Sequence, residues 1–361
     1  MRTDFLTDGG QTAASVAGLL AGFLGQAQHS IEMAIYDLVL EGAAEEAVAG
    51  ALGAAIARGV RVRLAYNLDH PRAVPVPPPP KLGVLGSPGI RELPGLEHHS
   101  IPGVPDLMHH KFVVVDGLHL WTGSTNWTND SWTREENIIL RLDSAALAAQ
   151  YLADFEELWE KRDVASSGHV KPEWFELGGG VRARAFFTPW RAEKLVAELS
   201  QSVAAASRRV RICSPVMTSG PLLGTLTDII QRGTSLDIRG VFDGTQMSEV
   251  RHQWQSNGAA QWKLQALAAI LKAIPFTAKH STPWAPHSVH DFMHAKCVVA
   301  DDHVFLGSYN LSRSGEMNAE NVLEIESPEL ADTCVAFVDS VIARYPPALA
   351  VGGAGPSPHI E

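Results

Sequence analysis

Two short stretches of the sequence carry the same reactive and hydrogen-bonding residues in the same order. His109, Lys111 and Asp116 form an HxKx4D pattern, and the pattern returns about 180 residues later. A GSxN segment and a Glu-Asn pair follow each copy. The matching pairs are His109 with His294, Lys111 with Lys296, Asp116 with Asp301, Gly123 with Gly307, Ser124 with Ser308, Asn126 with Asn310, Glu136 with Glu320, and Asn137 with Asn321. Eight ordered matches indicate an internal duplication.

The types and spacing of these residues suit a phosphoryl group. Residues i and i+2 of a strand share a face, so each histidine projects together with its lysine. Two lysines neutralise phosphoryl oxygens, and the Ser124, Asn126, Ser308 and Asn310 side chains are expected to add hydrogen bonds to the phosphate. A neutral histidine attacks phosphorus while a protonated one gives its proton to the leaving oxygen, which suits a side chain with an unperturbed pKa of about 6.5.

Two glutamates complete the candidate site, whereas a histidine beside the first motif is expected to lie outside it. Glu136 and Glu320 are expected to orient the imidazoles by accepting a hydrogen bond from their second nitrogen. His110 points to the other face of the predicted strand, and its counterpart in the second copy is Ala295. We therefore expect His110 to pack rather than react.

The doubled HxKx4D and GSxN pattern resembles the phospholipase D superfamily, and the resemblance covers most of the chain through its two halves. It implies one active site at the interface between the halves, a covalent phosphohistidine intermediate, and no metal or other cofactor. By the habit of the family, His109 is the nucleophile and His294 is the general acid and later the base. Asp116 and Asp301 look like the structural acids of the family, which hold the motif without touching substrate.

Strand-like and helical patterns alternate in both halves and predict mostly parallel α/β domains. The residues 29–38 and 207–216 are β-rich, and each run is followed by a helix and another strand. With the resemblance, this predicts two similar α/β/α sandwich halves packed as a pseudo-twofold pair. The expected boundaries are a first half over 1–165, a linker over 166–180, a second half over 181–345, and a flexible tail over 346–361. The Pro/Gly-rich insertion 70–89 is expected to form a surface loop or a lid over the site.

Composition excludes several classes of protein. Of the 361 residues, 45% are hydrophobic and 19% charged, which excludes a disordered chain, and the net charge of -11 argues against bulk coating of nucleic acid. The three cysteines lie far apart and fit a reducing compartment. The apolar N-terminal stretch follows acidic residues, and no uncharged apolar run reaches about 20 residues. These features predict a cytoplasmic protein without an integral membrane segment.

Three other readings concern histidines, tryptophans and basic residues. Zinc is disfavoured because the spacing of its candidate ligands, His98, His99, His280, His287, His290, His294 and Cys297, matches no common zinc pattern. Trp127 and Trp132 either stack on a base or sugar or pack in the core. A basic rim or, alternatively, ordinary solvated positions are expected for Arg182, Arg184, Arg191, Lys194, Arg208, Arg209 and Arg211.

The substrate class stays open between nucleic acid and phospholipid. The segment GSTNWT resembles the small endonuclease branch of the superfamily, whereas GSYNLSRSGEMNAEN resembles bacterial phospholipase D-like proteins of uncertain substrate. The first expectation is a metal-independent phosphodiesterase acting on single-stranded or duplex nucleic acid. The alternative is a phospholipase D that hydrolyses or transfers phospholipid headgroups, including cardiolipin-synthase-like transfer. A lesser alternative is a non-catalytic phosphate-binding module.

Overall fold

Two mixed β-sheets, one from each half, form the frame of the protein in a computed structural model that describes residues 1–68, 88–233, 235–285 and 288–348. The strands of the first sheet are β1 (Arg2–Leu6), β2 (Ser30–Ile35), β4 (Arg61–Leu68), β5 (Leu96–Pro102), β6 (Lys111–Val115), β7 (His119–Gly123) and β9 (Asn137–Asp143). A separate two-stranded ribbon joins β3 (Leu38–Val39) to β8 (Trp127–Thr128). The order of the first sheet is β1-β9-β7-β6-β2-β4-β5.

The second sheet repeats this arrangement. Its strands are β10 (Phe175–Gly178), β11 (Val181–Phe187), β12 (Arg209–Cys213), β13 (Asp237–Asp243), β14 (Phe276–Lys279), β15 (Cys297–Ala300), β16 (His303–Gly307) and β17 (Asn321–Glu326). The order β17-β16-β15-β12-β13-β14 matches β9-β7-β6-β2-β4-β5 strand for strand. The prediction of two similar α/β halves is therefore confirmed.

The prediction of mostly parallel sheets is wrong. In the first sheet only β2, β4 and β5 run parallel, and the second sheet follows the same pattern with β12, β13 and β14. The HxK strand of each half turns straight back into the strand that leads to GSxN, through the short turns at Asp116 and Asp301. Such short turns join only antiparallel neighbours, whereas a parallel pair needs a longer crossover.

Helices cover both sheets and fill the space between them. They are α1 (Ala13–Gly25), α2 (Ala43–Ala57), α3 (Pro88–Arg91), α4 (Asn129–Thr133), α5 (Ala145–Lys161), α6 (Ala192–Ala205), α7 (Gly220–Arg232), α8 (Gly244–Gln255), α9 (Gln261–Ala273), α10 (Arg313–Met317) and α11 (Pro328–Ile342). Apolar side chains of α1 and α2 pack on the first sheet only, and those of α6, α7 and α9 on the second only. The apolar faces of α5 and α11 belong to one core that both sheets share.

The shared core joins the two halves into one unit. Phe5 stacks on Phe337 with ring centroids 4.5 Å apart, and Tyr151 meets Phe187 edge to face at 5.0 Å. Burying a side chain of this size contributes about 1.5–3 kcal/mol. The sheet ends that carry the two HxK motifs are thus held in a fixed relation.

The expected linker and tail contain more regular structure than their composition indicated. Strand β10 lies inside the predicted linker and pairs with β11, because the glycines 178–180 adopt the positive φ angles that a tight turn requires. Ala278 N–H donates to Pro346 O at 3.0 Å, and Ala348 N–H donates to Phe276 O at 2.7 Å. Residues 346–348 therefore extend the second sheet, which corrects the expectation of a tail that is flexible from its start. The rest of the tail and residues 70–87 of the insertion lie outside the described residues.

The N-terminal apolar stretch forms helix α1, whose first turn is capped by Thr12. The Thr12 side chain accepts a hydrogen bond from Ser15 N–H. None of the helices in the described ranges is long and apolar enough to cross a membrane. The cytoplasmic location stays a prediction.

Candidate active site

Two histidines from different halves are held by side chains of the opposite half. His109 precedes β6, and its Nδ1 lies 2.8 Å from Glu320 Oε2. His294 precedes β15, and its Nδ1 lies 3.1 Å from Asn137 Oδ1. Both imidazoles are more than nine-tenths buried. The two copies of the motif therefore build one site and not two.

A lysine accompanies each histidine on the same side of its strand. Lys111 Nζ donates to His109 O at 2.8 Å, and Lys296 Nζ donates to His294 O at 2.6 Å. The two lysines are only 2% and 3% exposed. Two nearly buried ammonium groups form a strong local attraction for an anion, although the net charge of the whole chain is negative.

Tyr36 is a neighbour of the first histidine that the sequence reasoning missed. Its ring centroid lies 4.5 Å from that of His109, and Lys111 Nζ lies 4.8 Å from the ring. The tyrosine follows the last residue of β2, beside the HxK strand. Its place at the carboxyl end of a parallel strand was the available signal.

Burial and charge shift the pKa values of the site. Burial lowers the pKa of both imidazoles well below the usual value, and the ammonium groups of Lys111 and Lys296 lower it further. Burial also lowers the pKa of Lys111 to about 8, against the opposing effect of nearby carboxylates. It raises the pKa of Glu320 to about 7. Near pH 7 the imidazoles are therefore neutral, until the negative charge of a bound anion favours their protonation.

Asp116 and Asp301 contact backbone and not the imidazoles. The Asp116 carboxylate accepts hydrogen bonds from the N–H groups of residues 28, 29 and 30 at 2.8, 2.7 and 2.9 Å. Asp301 accepts the equivalent three from residues 207, 208 and 209. Burial alone would raise the pKa of both carboxyls, but these donors outweigh it and lower the pKa. Each aspartate thus fixes the start of the central strand against the turn that follows the HxK strand.

The serines and asparagines of the GSxN segments differ in what they can bind. Ser124 is fully buried and donates to Asn137 Oδ1 at 2.7 Å, so its proton is not free for a phosphate. Ser308 is equally buried and interacts with the Glu320 carboxylate. The expectation that these serines bind phosphate is therefore corrected. Within the described part of the chain, Asn126 and Asn310 each keep a buried Oδ1 without a hydrogen-bond partner, so these amides remain candidates for substrate contact.

Glu136 does not hold His294, contrary to the expectation from the motif. Its Oε2 accepts a hydrogen bond from Lys279 Nζ at 3.0 Å, and its other oxygen accepts one from the Tyr345 hydroxyl. Lys279 is only 4% exposed, so it needs a carboxylate partner nearby. Glu135 Oε2 lies 3.3 Å from His294 Nδ1 instead. The extra acid beside the motif glutamate was the only sequence signal for this contact.

The tryptophans and the histidine next to His109 pack inside the protein. Trp127 and Trp132 are 1% exposed and belong to the core of the first half, which removes them as stacking platforms. His110 is fully buried, with Nε2 2.9 Å from Asp154 Oδ2. No group of three potential metal ligands occurs among the described residues, which do not include His287.

The candidate basic rim consists of residues that already have protein partners. Arg191 donates to the backbone oxygens of residues 169 and 170. The other members form ion pairs, which are Arg182 with Glu326, Arg184 with Glu324, Lys194 with Glu198, Arg208 with Asp302, Arg209 with Asp332, and Arg211 with Asp339. Their charges are thus largely balanced within the protein.

Comparison with known proteins finds similarity in both halves. The family model described as "Cardiolipin synthase, PLD-like domain" matches residues 20–159 and again residues 199–341. The mitochondrial cardiolipin hydrolase of Xenopus laevis is 34% identical over 155 residues, which are 43% of this chain and 66% of that protein. The human mitochondrial cardiolipin hydrolase is 33% identical over 104 residues, 29% of this chain and 37% of that protein. The chain thus spans about two thirds of the length of the first of these relatives and less of the second.

Among solved structures, the phosphatidylserine synthase of Haemophilus influenzae aligns over 95% of this chain and 86% of its own. The TM-score is 0.63 and the sequence identity 14%, a level at which the likeness shows the fold alone.

Proposed function

The chain belongs to the phospholipase D superfamily, whose PLD-like domain it carries twice, and we propose that it hydrolyses phosphodiester bonds through a covalent intermediate on His109. The observation that supports this most is the cross-pairing of the site, in which Glu320 of the second half holds the imidazole of the first half. Two buried lysines beside the imidazoles supply positive charge for the phosphoryl oxygens. We therefore propose that the reaction needs no metal ion.

In the first step, His109 Nε2 attacks phosphorus and the bond from phosphorus to the leaving oxygen breaks. Glu320 accepts the hydrogen bond from Nδ1–H, so the lone pair of Nε2 faces the substrate. His294 gives its proton to the leaving oxygen. The phosphoryl oxygens lie between Lys111 and Lys296, whose charges offset the negative charge of the transition state.

In the second step, a water molecule attacks phosphorus and the bond from phosphorus to His109 breaks. His294, neutral after the first step, takes a proton from this water. Burial and the two lysines lower its pKa, which favours the neutral form that takes a proton from the water.

The two imidazoles lie at different distances from their carboxylates, which supports His109 as the nucleophile and His294 as the general acid. Glu320 approaches His109 to 2.8 Å, whereas the nearest carboxylate of His294, that of Glu135, lies at 3.3 Å. A closer carboxylate makes an imidazole more basic and hence a better nucleophile. The more weakly paired His294 releases its proton more readily, as a general acid must.

For the substrate we propose a phospholipid, on the evidence of exposed apolar side chains in segments that lead to the site. Leu68, Val104 and Met317 are exposed by 41%, 38% and 38%. Their segments are joined, because Gly103 N–H donates to Leu68 O and the N–H of Leu107 donates to the side chain of the residue that follows Met317. Exposed apolar side chains on the segments that carry an anion site suit a phosphate that is attached to acyl chains. The matching family and the relatives described above are named for cardiolipin, a phospholipid, which agrees with this class.

Nucleic acid remains the second candidate, because the segment 123–128, GSTNWT, resembles the endonuclease branch. The balanced charges of the basic residues in the second half and the burial of Trp127 and Trp132 remove two features that would favour it. Action on nucleic acid, which the sequence favours, stays a prediction that the experiment below tests.

The test is a parallel assay on vesicles of phosphatidylcholine, vesicles of cardiolipin, single-stranded DNA, RNA and duplex DNA. Wild-type protein is compared with His109→Asn and His294→Asn, which should both lose turnover. Release of a headgroup or of phosphatidic acid supports the phospholipid proposal. Cleavage of nucleic acid alone would overturn that substrate but not the mechanism. Tight anion binding without turnover of any substrate would favour the non-catalytic alternative, and full turnover by either variant would contradict the proposed chemistry.

A further inference from the structure

The two glutamates that match in the repeat do not make equivalent contacts. Glu320 meets the imidazole of the opposite half directly, whereas Glu136 lies in a buried cluster with Lys279. In the strand register of the two halves, the position of Lys279 corresponds to Ile101. The lysine that engages Glu136 therefore exists in one half only.

The backbone pairing beside the two imidazoles also differs, by one residue. Met108, just before His109, forms a bridge with Ala319, and Met293, just before His294, forms a bridge with Glu136. Ala319 aligns with Glu135 in the repeat, so a symmetric pairing would have joined Met293 to Glu135. A shift of one residue in an extended segment exchanges the side chain that faces a given neighbour for the adjacent one.

Because of this shift, the side chain that lies beside His294 is that of Glu135 and not that of Glu136. Its Oε2 lies 3.3 Å from His294 Nδ1 and accepts a hydrogen bond from Asn137 Nδ2 at 3.0 Å. The carboxylate is 2% exposed, and the equivalent residue of the other half, Ala319, carries no polar side chain. A buried carboxylate needs polar partners, and here Ser131 and Asn137 supply hydrogen bonds while the imidazole of His294 lies alongside.

We propose that Glu135 is the positioning residue of His294, and that Glu136, despite its match to the motif, anchors the two halves together through Lys279. The inference rests on the proposed function, since it assigns the residue that acts on the acid and base of that reaction. Glu135 holds the Nδ1–H of His294 together with Asn137 and stabilises the imidazolium. His294 Nε2 is thereby directed at the leaving oxygen in the first step and at water in the second.

Replacement of Glu135 by Gln should slow the second step more than the first. With bis(4-nitrophenyl) phosphate, the nitrophenolate leaves without much help from an acid, so attack by His109 remains fast. Breakdown of the phosphohistidine still needs His294 as a base, so steady-state turnover should fall by about 10- to 100-fold. A burst of about one nitrophenolate per protein should then precede the slow phase, with the 4-nitrophenyl phosphoryl group held on His109.

Glu136→Gln is the matched control, because it is the same change at the adjacent residue. This variant should keep turnover within about threefold and leave the burst unchanged. It should lower Tm by about 3 °C or more, because the buried charge of Lys279 loses its carboxylate partner. Glu320→Gln should slow the burst itself. Glu135→Asp, which keeps the charge, should recover part of the lost turnover, and it gives the same test of breakdown if Glu135→Gln folds poorly.

Wild-type burst and turnover in Glu135→Gln would overturn the inference, and so would the appearance of the slowed breakdown in Glu136→Gln. These outcomes differ from failure of the proposed function. If His109→Asn retains full turnover, or if wild-type protein forms no phosphoenzyme, the underlying mechanism fails. If His109 behaves as proposed and the Glu135 variants match wild type, only the role of Glu135 fails.

Discussion

Anion affinity of the site should fall steeply as the pH rises through 8. Burial lowers the pKa of Lys111 to about 8, and the carboxylates of Glu320, Asp37 and Glu135 only partly oppose this effect. Each unit of pH above the pKa reduces the charged fraction about tenfold, so Lys111 is about nine-tenths charged at pH 7 and about one-tenth at pH 9. Because a bound anion favours the charged lysine, the affinity of the site for the anion should drop by about tenfold between pH 7 and pH 9.

Calorimetric titration with sulfate measures this change without interference, since the charge of sulfate is constant over the range. Lys111→Arg is the matched variant, because a guanidinium stays charged at pH 9. Its affinity for sulfate should fall less, because only Lys296, whose pKa burial also lowers, and the two imidazoles still lose charge as the pH rises. Equal sulfate affinity of the wild type at pH 7 and pH 9 would refute the reasoning, because either Lys111 is not shifted or it does not face the anion.

Three further predictions concern stability, metal dependence and Tyr36. Asp116→Ala should lower the free energy of unfolding by about 2 kcal/mol in urea, because three backbone N–H groups lose their acceptor, and unchanged stability would contradict the structural role. The lowered pKa of Asp116 means that this contribution is present above about pH 4 and disappears as the pH falls further. Turnover should survive excess EDTA, whereas loss that zinc restores would favour metal catalysis. Tyr36→Ala should lower turnover about fivefold through lost packing on His109 and Lys111, Tyr36→Phe should retain more, and equal turnover of the two variants would argue against the ring contact.

The repeat predicted the histidines and lysines of the site correctly, because their placement depends on local sequence patterns. The i, i+2 spacing of His109 and Lys111 on a buried strand places both side chains together whatever surrounds them. The same holds for the α/β class, which follows from alternating strands and helices. The direction of the strands was not predictable from alternation, since it depends on the short turn at Asp116 that closes a hairpin.

The contacts that the sequence analysis misjudged depend on partners that the motif alone does not identify. Glu136 was expected at His294 by analogy with Glu320, but Lys279, more than 140 residues away in sequence, holds it elsewhere. Ser124 was expected to bind phosphate, but its hydroxyl donates a hydrogen bond to Asn137 Oδ1. In both cases the residue type was compatible with the expected role, and a partner brought in by the tertiary fold decided otherwise.

The location of the phosphohistidine tests the central claim most directly. His294→Asn protein is mixed with bis(4-nitrophenyl) phosphate, quenched at alkaline pH where phosphohistidine survives, digested, and mapped by mass spectrometry. A single site built by both halves predicts the phosphoryl adduct on the peptide that contains His109, and no adduct in His109→Asn protein. An adduct on the peptide that contains His294 in the wild type, or turnover without an adduct on either histidine, would contradict the account.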